Sequence, residues 1–381
     1  MLISLLHATR AMPERALATR REWLNKATHP EFISHIFGIQ SDDHTSLDAF
    51  QSAGVNYACS EPPPTWASSS VANWNAAAKA CLGDLLVVIA DDLTPPDGWD
   101  DELRKLPPPS QDYACHVADT FRDDDLICHP ILSRALYQKR GYVFHPGFYG
   151  VFCDNDFTLR TSLETTIHKL PSLKWRHDHP LAGTRPEDDI VKLQNTQAAF
   201  EYGVQMMSRL WPFLEIFNDL RANTDDLNAH MPILAKLARK CSRVTEFGSG
   251  ISTISFLHAL SNKNASLRSY DLSDSNKLFD ACRHLSTTDW TFTERAFDDL
   301  PAIEQTDFLF IDILRTGYSL EHLLERHAAR SNKFLVLFGT ESIEEAFPKK
   351  NFLSQWHERH PEWMDLHTTP DKGGLSAFIR L

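Results

Sequence analysis

The sequence predicts an α/β protein built from two Rossmann-like three-layer domains, each a mainly parallel sheet covered by helices, with further helices joining them. Leu85–Ala90 is an unbroken apolar run with paired valines, which is typical of a strand buried on both faces of a parallel sheet. Arg243–Phe247 is a second strand-like run, and it leads through a glycine loop into a helical stretch. A chain of 381 residues is long enough for two such domains.

Composition and charge exclude several classes of protein. The net charge is −13 and neither half of the chain has a basic run, which disfavours broad phosphate neutralisation on nucleic acid but leaves a local basic groove open. No apolar run approaches the length of a membrane-spanning helix, and Met1–Leu6 is too short for a signal segment. The seven scattered cysteines form no Cys-x-x-Cys pair, which predicts reduced thiols in a cytoplasmic protein.

The first domain is predicted to alternate strands with helices. Its elements are strands at Leu2–Ala8, Phe32–Ile39, Leu85–Ala90 and Tyr113–Val117, with helices at Pro13–Trp23 and Ser68–Lys79. Pro13 suits the first turn of a helix, because the N–H that proline lacks has no partner there. From residue 186 to about residue 240 helical periodicity replaces the strand signals. The predicted organisation is therefore a domain at 1–200, bridging helices at 201–240 and a second domain at 241–381.

Two adjacent carboxylates, Asp91 and Asp92, follow the apolar strand directly, and Pro95–Gly98 then breaks the chain. Ligands of open α/β sheets bind at the carboxyl ends of the strands. Paired carboxylates at such a place commonly hold a divalent cation against a phosphate. The alternative is that Asp91 caps the following turn and Asp92 is solvated.

This stretch resembles the metal-binding strand end of the family 2 glycosyltransferases, which have the GT-A fold. The family pattern is Asp-x-Asp or Asp-Asp-Asp followed by Pro-Gly-Trp, whereas Ala90 takes the first position here. The resemblance implies that Asp92 binds Mn²⁺ or Mg²⁺ and that Asp91 contacts the ribose or supports the metal ligands.

The same resemblance implies contacts to a nucleotide from Thr9, Arg10, Asp42 and Asn75. Each also has a simpler explanation, since Arg10 could be a surface charge, Asp42 a loop cap and Asn75 part of a helix face. Cys128–Tyr137 resembles the acceptor-side segment of these enzymes.

A second family motif, Glu-Asp-x-Asp/Glu-Leu-x-x-Arg, matches Cys153–Arg160, with Cys153 in place of the first Glu. The resemblance implies that Asp154 is the general base of an inverting enzyme, and it makes Asp156 a second catalytic candidate or a structural residue. A carboxylate at a helix N-terminus stays ionised and can deprotonate an acceptor hydroxyl. Read alone, both aspartates could be helix caps.

A late histidine pair, His177 and His179, stands where GT-A enzymes often complete the metal shell. Neutral imidazole combines acceptably with carboxylate and diphosphate oxygens around Mn²⁺. The resemblance implies His179 as the ligand with His177 as the substitute, and the alternative is a surface loop.

The second domain resembles the class I S-adenosylmethionine-dependent methyltransferases. The resemblance makes Glu246, Gly248 and Gly250 the cofactor loop and Asp271 the ribose carboxylate, although a glycine loop alone is weak evidence. Two stretches, Asp312–Tyr318 and Phe338–Thr340, lack the histidines and a carboxylate that metal-dependent relatives carry. The domain therefore either binds S-adenosylmethionine or a nucleoside, or is a degenerate copy kept for packing, dimerisation or acceptor capture.

The predicted function is that of a metal-dependent, inverting, hexosyltransferase-like enzyme. It would move a sugar from a nucleotide-diphosphate donor, preferably a UDP-sugar, to an acceptor hydroxyl on a carbohydrate, lipid-linked sugar, protein or modified base. The alternatives are an S-adenosylmethionine-dependent methyltransferase whose first domain binds substrate, a glycosyltransferase of modified viral DNA bases, and a non-catalytic sugar- or nucleotide-binding protein. The acidic charge makes DNA the less favoured acceptor, and the oligomeric state stays open, a homo-oligomer included.

Overall fold

A computed structural model divides the chain into two compact units, unit 1 at Met1–Met207 and unit 2 at Ser208–Leu381. The structure describes residues 1–67, 70–122, 124–222, 226–271, 280–295, 300–313, 320–340, 352–369 and 374–381. Ser68 and the greater part of the stretch at 312–318 lie outside these residues. Both units are mixed α/β with a mainly parallel sheet, which confirms the fold class at that level.

Unit 1 contains an eight-stranded sheet with the order β3-β2-β1-β4-β7-β6-β8-β5. Its strands are β1 (Ile3–Ala8), β2 (Ile33–Gln40), β3 (Tyr57–Ser60), β4 (Leu85–Ala90), β5 (Leu93–Thr94), β6 (Tyr113–Asp119), β7 (Ile131–Ser133) and β8 (Thr166–His177). The first four strands of this order run parallel, and β7 lies antiparallel between β4 and β6. The predicted apolar strand is β4, whose first five residues are fully buried.

The helices of unit 1 flank the strands and connect them. They are α1 (Pro13–Asn25), α2 (His44–Ser52), α3 (Ser70–Ala80), α4 (Trp99–Arg104), α5 (Arg134–Arg140), α6 (Cys153–Glu164) and α7 (Asp189–Gln194), with single 3-10 turns at Pro30–Phe32 and Pro180–Ala182. Helix α8 (Gln197–Leu210) begins in unit 1 and includes the boundary at Met207. Helix α1 begins at Pro13, as the sequence predicts. Helix α6 begins at Cys153, so the second family motif lies on its first turns.

A tryptophan cluster fixes the turn that follows β4. The Trp23 and Trp99 rings meet at 5.0 Å, and Trp175 packs on Trp23 at 5.3 Å. The Trp23 indole N–H donates to the Leu93 carbonyl at 2.7 Å. These buried aromatic contacts hold the backbone immediately after Asp92 in one position.

A close approach between α3 and β2 fixes the backbone at the neighbouring strand ends of the same sheet. A Cβ atom on Gly38 would lie 1.9 Å from the Asn73 carbonyl oxygen, so only glycine fits there. The Asn73 amide donates to the Thr9 carbonyl at 3.1 Å and accepts from the Ser60 hydroxyl at 2.6 Å. Asn73 therefore ties together the carboxyl ends of β1 and β3.

Unit 2 contains a seven-stranded sheet with the order β11-β10-β9-β12-β13-β15-β14. Its strands are β9 (Arg243–Phe247), β10 (Ser266–Asp271), β11 (Asp289–Glu294), β12 (Thr306–Asp312), β13 (Ser331–Phe338), β14 (Trp363–Thr369) and β15 (Leu375–Arg380). Its described helices are α9 (Leu214–Ala222), α10 (Asp226–Ala238), α11 (Ile251–Leu260), α12 (Leu320–His327) and α13 (Phe352–Arg359), with a 3-10 turn at Ala328–Arg330.

The first five strands of the unit 2 sheet are parallel, and β15 runs antiparallel to β13 and β14. The strand order reverses between β9 and β12, which is where ligands bind in doubly wound sheets. The glycine loop after β9 stands at this point. Among the helices within the described residues, none is long and apolar enough to span a lipid bilayer.

His258 on α11 makes the stability of unit 2 depend on pH. Its ring is fully buried and stacks on Phe217 at 4.4 Å, and neither ring nitrogen has a hydrogen-bond partner among the described residues. Burial, with the nearby Arg239 charge, lowers the pKa of His258 to about 3. In the unfolded chain the pKa is about 6.5. The unfolded state therefore takes up the proton first, and stability present above pH 6.5 is lost as the pH falls towards 3.

We expect acidification from pH 7 to pH 4.5 to remove about 2–3 kcal/mol of unit 2 stability through His258. Hydrogen exchange of peptides covering α11 in the full-length chain measures this loss. In His258→Gln the side chain cannot titrate, so its pH dependence should be flatter by that amount. Equal pH dependence in the two proteins would contradict the assignment to His258.

Candidate functional site

Strands β1, β2, β4 and β8 of unit 1 end at one cavity of about 700 Å³. This size falls within the range of small-molecule sites. Eight of the residues predicted as site residues line it: Thr9, Arg10, Asp42, Asp91, Asp92, Asp154, His177 and His179. Asn75 and Asp156, which are both described, are not part of the lining.

Asp91 is held from the β1 side by two side chains. Its Oδ1 atom lies 2.8 Å from Nε2 of the buried His7, and its Oδ2 atom accepts from the Thr9 hydroxyl at 2.8 Å. The Asp91 carbonyl accepts from Thr19 at 2.8 Å and from Arg15 at 3.2 Å. Both oxygens of the Asp91 carboxylate are therefore engaged by His7 and Thr9, and Asp91 supports the cavity wall from that side.

Asp92 faces a guanidinium and a histidine. Its Oδ2 atom accepts from Arg185 at 3.0 Å, and its Oδ1 atom lies 3.7 Å from His177 Nε2. Burial opposes ionisation, but His177, His129 and Arg185 together outweigh it and hold the pKa of Asp92 below its usual value. Asp92 is therefore an ionised carboxylate at neutral pH.

His177 lies between Asp92 and a second carboxylate, Asp119, at the end of β6. His177 Nδ1 and Asp119 Oδ2 are 3.0 Å apart, and Asp119 Oδ1 accepts from the backbone N–H groups of Phe121 and Arg122 at 2.8 and 2.7 Å. Burial raises the pKa of Asp119, but the His177 and Arg122 hydrogen bonds prevail and lower it to about 2. Sequence reasoning did not identify Asp119.

Two further histidines adjoin His177. The His129 ring lies 5.1 Å from the His177 ring, and the His179 ring also lies 5.1 Å from it while stacking on Phe121 at 4.4 Å. Burial, followed by the His177 charge, lowers the pKa of His129 to about 4 and lowers the pKa of His179. Both rings are therefore neutral at pH 7.

Asp154 lies on the first turn of α6 and lines the same cavity. It accepts from the Asn155 backbone N–H at 3.0 Å and from the Cys128 thiol at 3.5 Å. Burial raises the pKa of Asp154 in spite of these donors and of the helix N-terminus. A carboxylate with a raised pKa is a better proton acceptor than a solvated one.

Asp156 and Asn75 serve the scaffold in this structure. Asp156 is buried and pairs with the buried Arg160 at 2.7 Å, one helical turn further along α6. Asn75 donates to the Phe144 carbonyl at 2.8 Å and accepts from the Val143 backbone N–H at 2.9 Å. Their proposed roles in catalysis and nucleotide binding stay predictions.

The cavity also contains arginines and a buried amide, and among these only Arg10 is a site residue predicted from the sequence. Four arginines line it, although the chain carries a net charge of −13: Arg10, Arg15, Arg122 and Arg185. Arg10 pairs with Asp42 at 3.1 Å, on the more exposed part of the lining. Gln40, at the end of β2, is fully buried, and neither polar atom of its amide has a partner among the described residues. Buried amides are normally hydrogen-bonded, so the Gln40 amide is a candidate contact for a ligand or an ordered water.

In unit 2 the predicted cofactor residues lie in a network of hydrogen bonds around the glycine loop. Glu246 is fully buried and accepts from the hydroxyls of Ser252, Thr253 and Ser269 at 2.9, 2.7 and 2.6 Å. Burial raises the pKa of Glu246 to about 7 in spite of these donors. Glu246 therefore braces the strand–loop–helix junction from inside.

The glycine loop itself closes onto Asp271. Gly248 adopts a φ of 88°, which favours glycine, and the following Ser249 donates to Asp271 Oδ2 from its backbone N–H at 2.8 Å and its hydroxyl at 3.1 Å. The Gly250 backbone N–H donates to the Thr253 hydroxyl at 2.9 Å. Asp271 lies at the predicted strand end, and its role towards a ribose stays a prediction.

Comparison with known proteins gives a likeness of fold alone. No protein-family model matches the chain, and no curated protein matches it. Solved structures do match. A Podospora anserina methyltransferase bound to SAH is 14% identical over 49% of this chain and 97% of its own, with a TM-score of 0.33. An O-methyltransferase from Bacillus cereus in complex with SAH is 15% identical over 46% of this chain and 96% of its own, with a TM-score of 0.36.

A third solved structure is the N-methyltransferase NodS from Bradyrhizobium japonicum with S-adenosyl-L-homocysteine. It is 11% identical over 45% of this chain and 98% of its own, with a TM-score of 0.32. None of these three is a glycosyltransferase. Likeness of this degree concerns the fold of about half of the chain and leaves its activity open.

Proposed function

We propose that the unit 1 cavity transfers a sugar from a nucleotide-diphosphate donor to an acceptor hydroxyl, with a divalent metal ion. One observation carries this proposal: the cavity brings together ionised carboxylates, neutral histidines and arginines at the carboxyl ends of parallel strands. A diphosphate, a metal ion and an acceptor hydroxyl together need these three kinds of group.

The arginines supply the charge for the diphosphate. Guanidinium groups bind phosphate oxygens with charge-assisted hydrogen bonds. Arg185 is the best placed of them, because it is half-buried beside Asp92 and is oriented by Asp188 and by the Asp178 carbonyl. Its position next to the predicted metal carboxylate puts it where a leaving diphosphate gains negative charge.

The histidine–carboxylate end of the cavity has donors that fit a divalent cation. Four residues of the lining adjoin one another there: Asp92, His129, His177 and His179. Asp119 is not part of the lining and lies 3.0 Å from His177. When bound, such an ion would supply positive charge to the leaving diphosphate. The residues of the chain bind the donor, exclude water and move the proton.

Asp154 would take the proton of the acceptor hydroxyl. It lines the same cavity, and its raised pKa suits that task. Inversion at the anomeric carbon follows from the family resemblance. The acceptor stays open among a carbohydrate, a lipid-linked sugar, a protein and a modified base.

Gln40 would face the nucleoside of the donor. Its orphaned amide offers both a donor and an acceptor, which match the edge of a nucleobase or the hydroxyls of a ribose. A UDP-sugar is the favoured donor, in keeping with the resemblance.

Calorimetric titration of the full-length protein with UDP, GDP and dTDP tests the proposal. We expect UDP to bind, and we expect Arg185→Met to weaken its binding about tenfold or more, because a charge-assisted bond to phosphate is lost. Arg268→Met, a change of a partly exposed arginine on β10 of unit 2, is the control and should bind as the unchanged protein does. Absence of binding by all three nucleotides would contradict the proposal.

Methyl transfer from S-adenosylmethionine by unit 2 is the second candidate function. The loop at Gly248–Gly250 stands at the reversal of strand order beside Asp271, where such a cofactor would bind. The solved structures reported above are methyltransferases, so their likeness of fold suits this second candidate better than glycosyl transfer. Titration with S-adenosylmethionine tests it, with Asp271→Ala as the variant expected to weaken binding. Equal affinity in both proteins, or no affinity, would speak against it.

A further inference from the structure

We propose that His129, His177 and Asp119 bind a divalent transition-metal ion on the wall of the unit 1 cavity. This ligand set differs from the Asp92 and His179 pair expected from the sequence. One donor atom of each of the three residues lies within 4.8 Å of the donor atoms of the other two. A small shift of the side chains would bring all three to coordination distance.

The topology of the sheet explains why these residues meet. Asp119 ends β6, His177 ends β8, and His129 stands two residues before β7. The strands β7, β6 and β8 are neighbours in the sheet, and β7 is antiparallel to β6, so its start lies at the same edge as the end of β6. The site is therefore built on three adjacent strands, which is a rigid support.

The three side chains are positioned in a way that suits the binding of a cation. Two backbone N–H groups hold Asp119 in place and stabilise its ionised form. His177 is clamped between Asp119 and Asp92 at 3.0 and 3.7 Å. For His129 the structure gives ring and charge contacts but no hydrogen bond to its ring nitrogens among the described residues, so a nitrogen is available to a metal ion. His129 and His177 both line the cavity.

Asp92 is the less suitable carboxylate because it already has a cation. The Arg185 guanidinium lies 3.0 Å from Asp92 Oδ2, and a metal ion at the same oxygen would meet that charge. Asp119 has no arginine or lysine within salt-bridge distance among the described residues, and its charged neighbour is His177. The metal and Arg185 would thus occupy separate positions and could contact a diphosphate from two sides.

The ligand chemistry predicts which metals bind. Two imidazoles and one carboxylate suit Mn²⁺, Co²⁺ and Zn²⁺, whereas Mg²⁺ prefers an all-oxygen shell. The remaining coordination positions would be open to the cavity. The role of the metal in holding a diphosphate rests on the proposed glycosyl transfer. Metal binding itself is independent of that proposal.

The test is calorimetric titration of the full-length protein with Mn²⁺, Co²⁺, Zn²⁺ and Mg²⁺, without nucleotide or acceptor. We expect one site, with Mg²⁺ binding at least about tenfold more weakly than Mn²⁺. His129→Gln and Asp119→Asn should each weaken Mn²⁺ binding at least about tenfold. Asp112→Asn, which changes an exposed carboxylate beside Lys139 outside the cavity lining, is the control and should retain the affinity of the unchanged protein. Asp92→Asn and His179→Gln test the ligand pair expected from the sequence and should weaken Mn²⁺ binding less than His129→Gln does.

Pulsed electron paramagnetic resonance of the Mn²⁺ complex gives a direct readout that needs no variant. We expect nitrogen couplings from two imidazoles in the unchanged protein and from one in His129→Gln. Absence of nitrogen coupling, or a loss of binding confined to Asp92→Asn and His179→Gln, would overturn the site. Metal binding as expected, with neither nucleotide binding nor donor turnover, would keep the site and contradict the glycosyl transfer instead.

Discussion

Replacing Asp154 with asparagine is expected to reduce sugar transfer by about 10²–10⁴-fold, which is the usual contribution of a general base. Asparagine has nearly the same shape, and its carbonyl oxygen could keep the hydrogen bond that the Asn155 backbone N–H donates to Oδ1, but it cannot accept the acceptor proton. Donor affinity should therefore stay within a factor of about two, since the lost interaction belongs to the transition state. Steady-state transfer kinetics together with calorimetric donor binding measure the two effects separately.

The pH dependence of transfer gives an independent check on Asp154. Because burial raises the pKa of Asp154, the carboxylate is lost at a higher pH than usual as the solution is acidified. We expect the acid limb of the pH–rate profile to lie above the usual range of an aspartate and to vanish in Asp154→Asn. Asp112→Asn, which changes an exposed carboxylate beside Lys139, should leave rate and profile unchanged. An Asp154→Asn protein with full activity would exclude Asp154 as the base.

Removing the Asp156 carboxylate is expected to destabilise the protein by about 3–5 kcal/mol, the usual cost of breaking a buried ion pair. The change Asp156→Ala leaves the Arg160 guanidinium, which is 5% exposed, without its 2.7 Å partner. The double variant Asp156→Ala with Arg160→Met should regain much of this stability, because no charge is then left buried. Urea unfolding of the three proteins measures the differences.

This prediction separates a structural from a catalytic Asp156. If Asp156→Ala kept full stability and lost transfer activity, Asp156 would be a catalytic residue, as the resemblance allows. If both stability and activity were recovered in the double variant, its role would be structural.

The elements that the sequence predicts well are those with a local cause. The strand Leu85–Ala90 is apolar at every position, and its observed bounds agree with that run. Helix α1 begins at Pro13 and helix α6 at Cys153, because proline and the acidic first turn each favour a helix start. The boundaries predicted for the domains, 1–200, 201–240 and 241–381, stay a proposal.

The candidate site is harder to predict because its residues come from distant segments. His129 belongs to a stretch that resembles an acceptor-side segment, and nothing local indicates that β7 inserts between β4 and β6 and brings it to His177. Arg185 lies in a loop without a motif, and its contact to Asp92 spans 93 positions. A local signal for Gln40 exists, since it is a polar residue at the end of β2, much as Asp91 and Asp92 directly follow β4.

Orientation is the second feature that a sequence does not give. Glu246 and Asp271 both end parallel strands as a cofactor site requires, yet Glu246 turns inward to three hydroxyls and Asp271 accepts from Ser249. The same holds for Asn75, whose amide braces the segment at Val143 and Phe144. Residue type and spacing place these groups, but packing decides which way they point.

The most direct test of the central claim is release of nucleoside diphosphate from a panel of UDP-, GDP- and dTDP-sugars with Mn²⁺, Mg²⁺ or EDTA. We expect metal-dependent release from one donor, a UDP-sugar, and loss of that release in Arg185→Met. Such a result would assign sugar-nucleotide chemistry to the unit 1 cavity before the acceptor is known. Absence of release from every donor, together with absence of binding by the three nucleoside diphosphates, would contradict the claim and leave S-adenosylmethionine binding by unit 2 as the function to pursue.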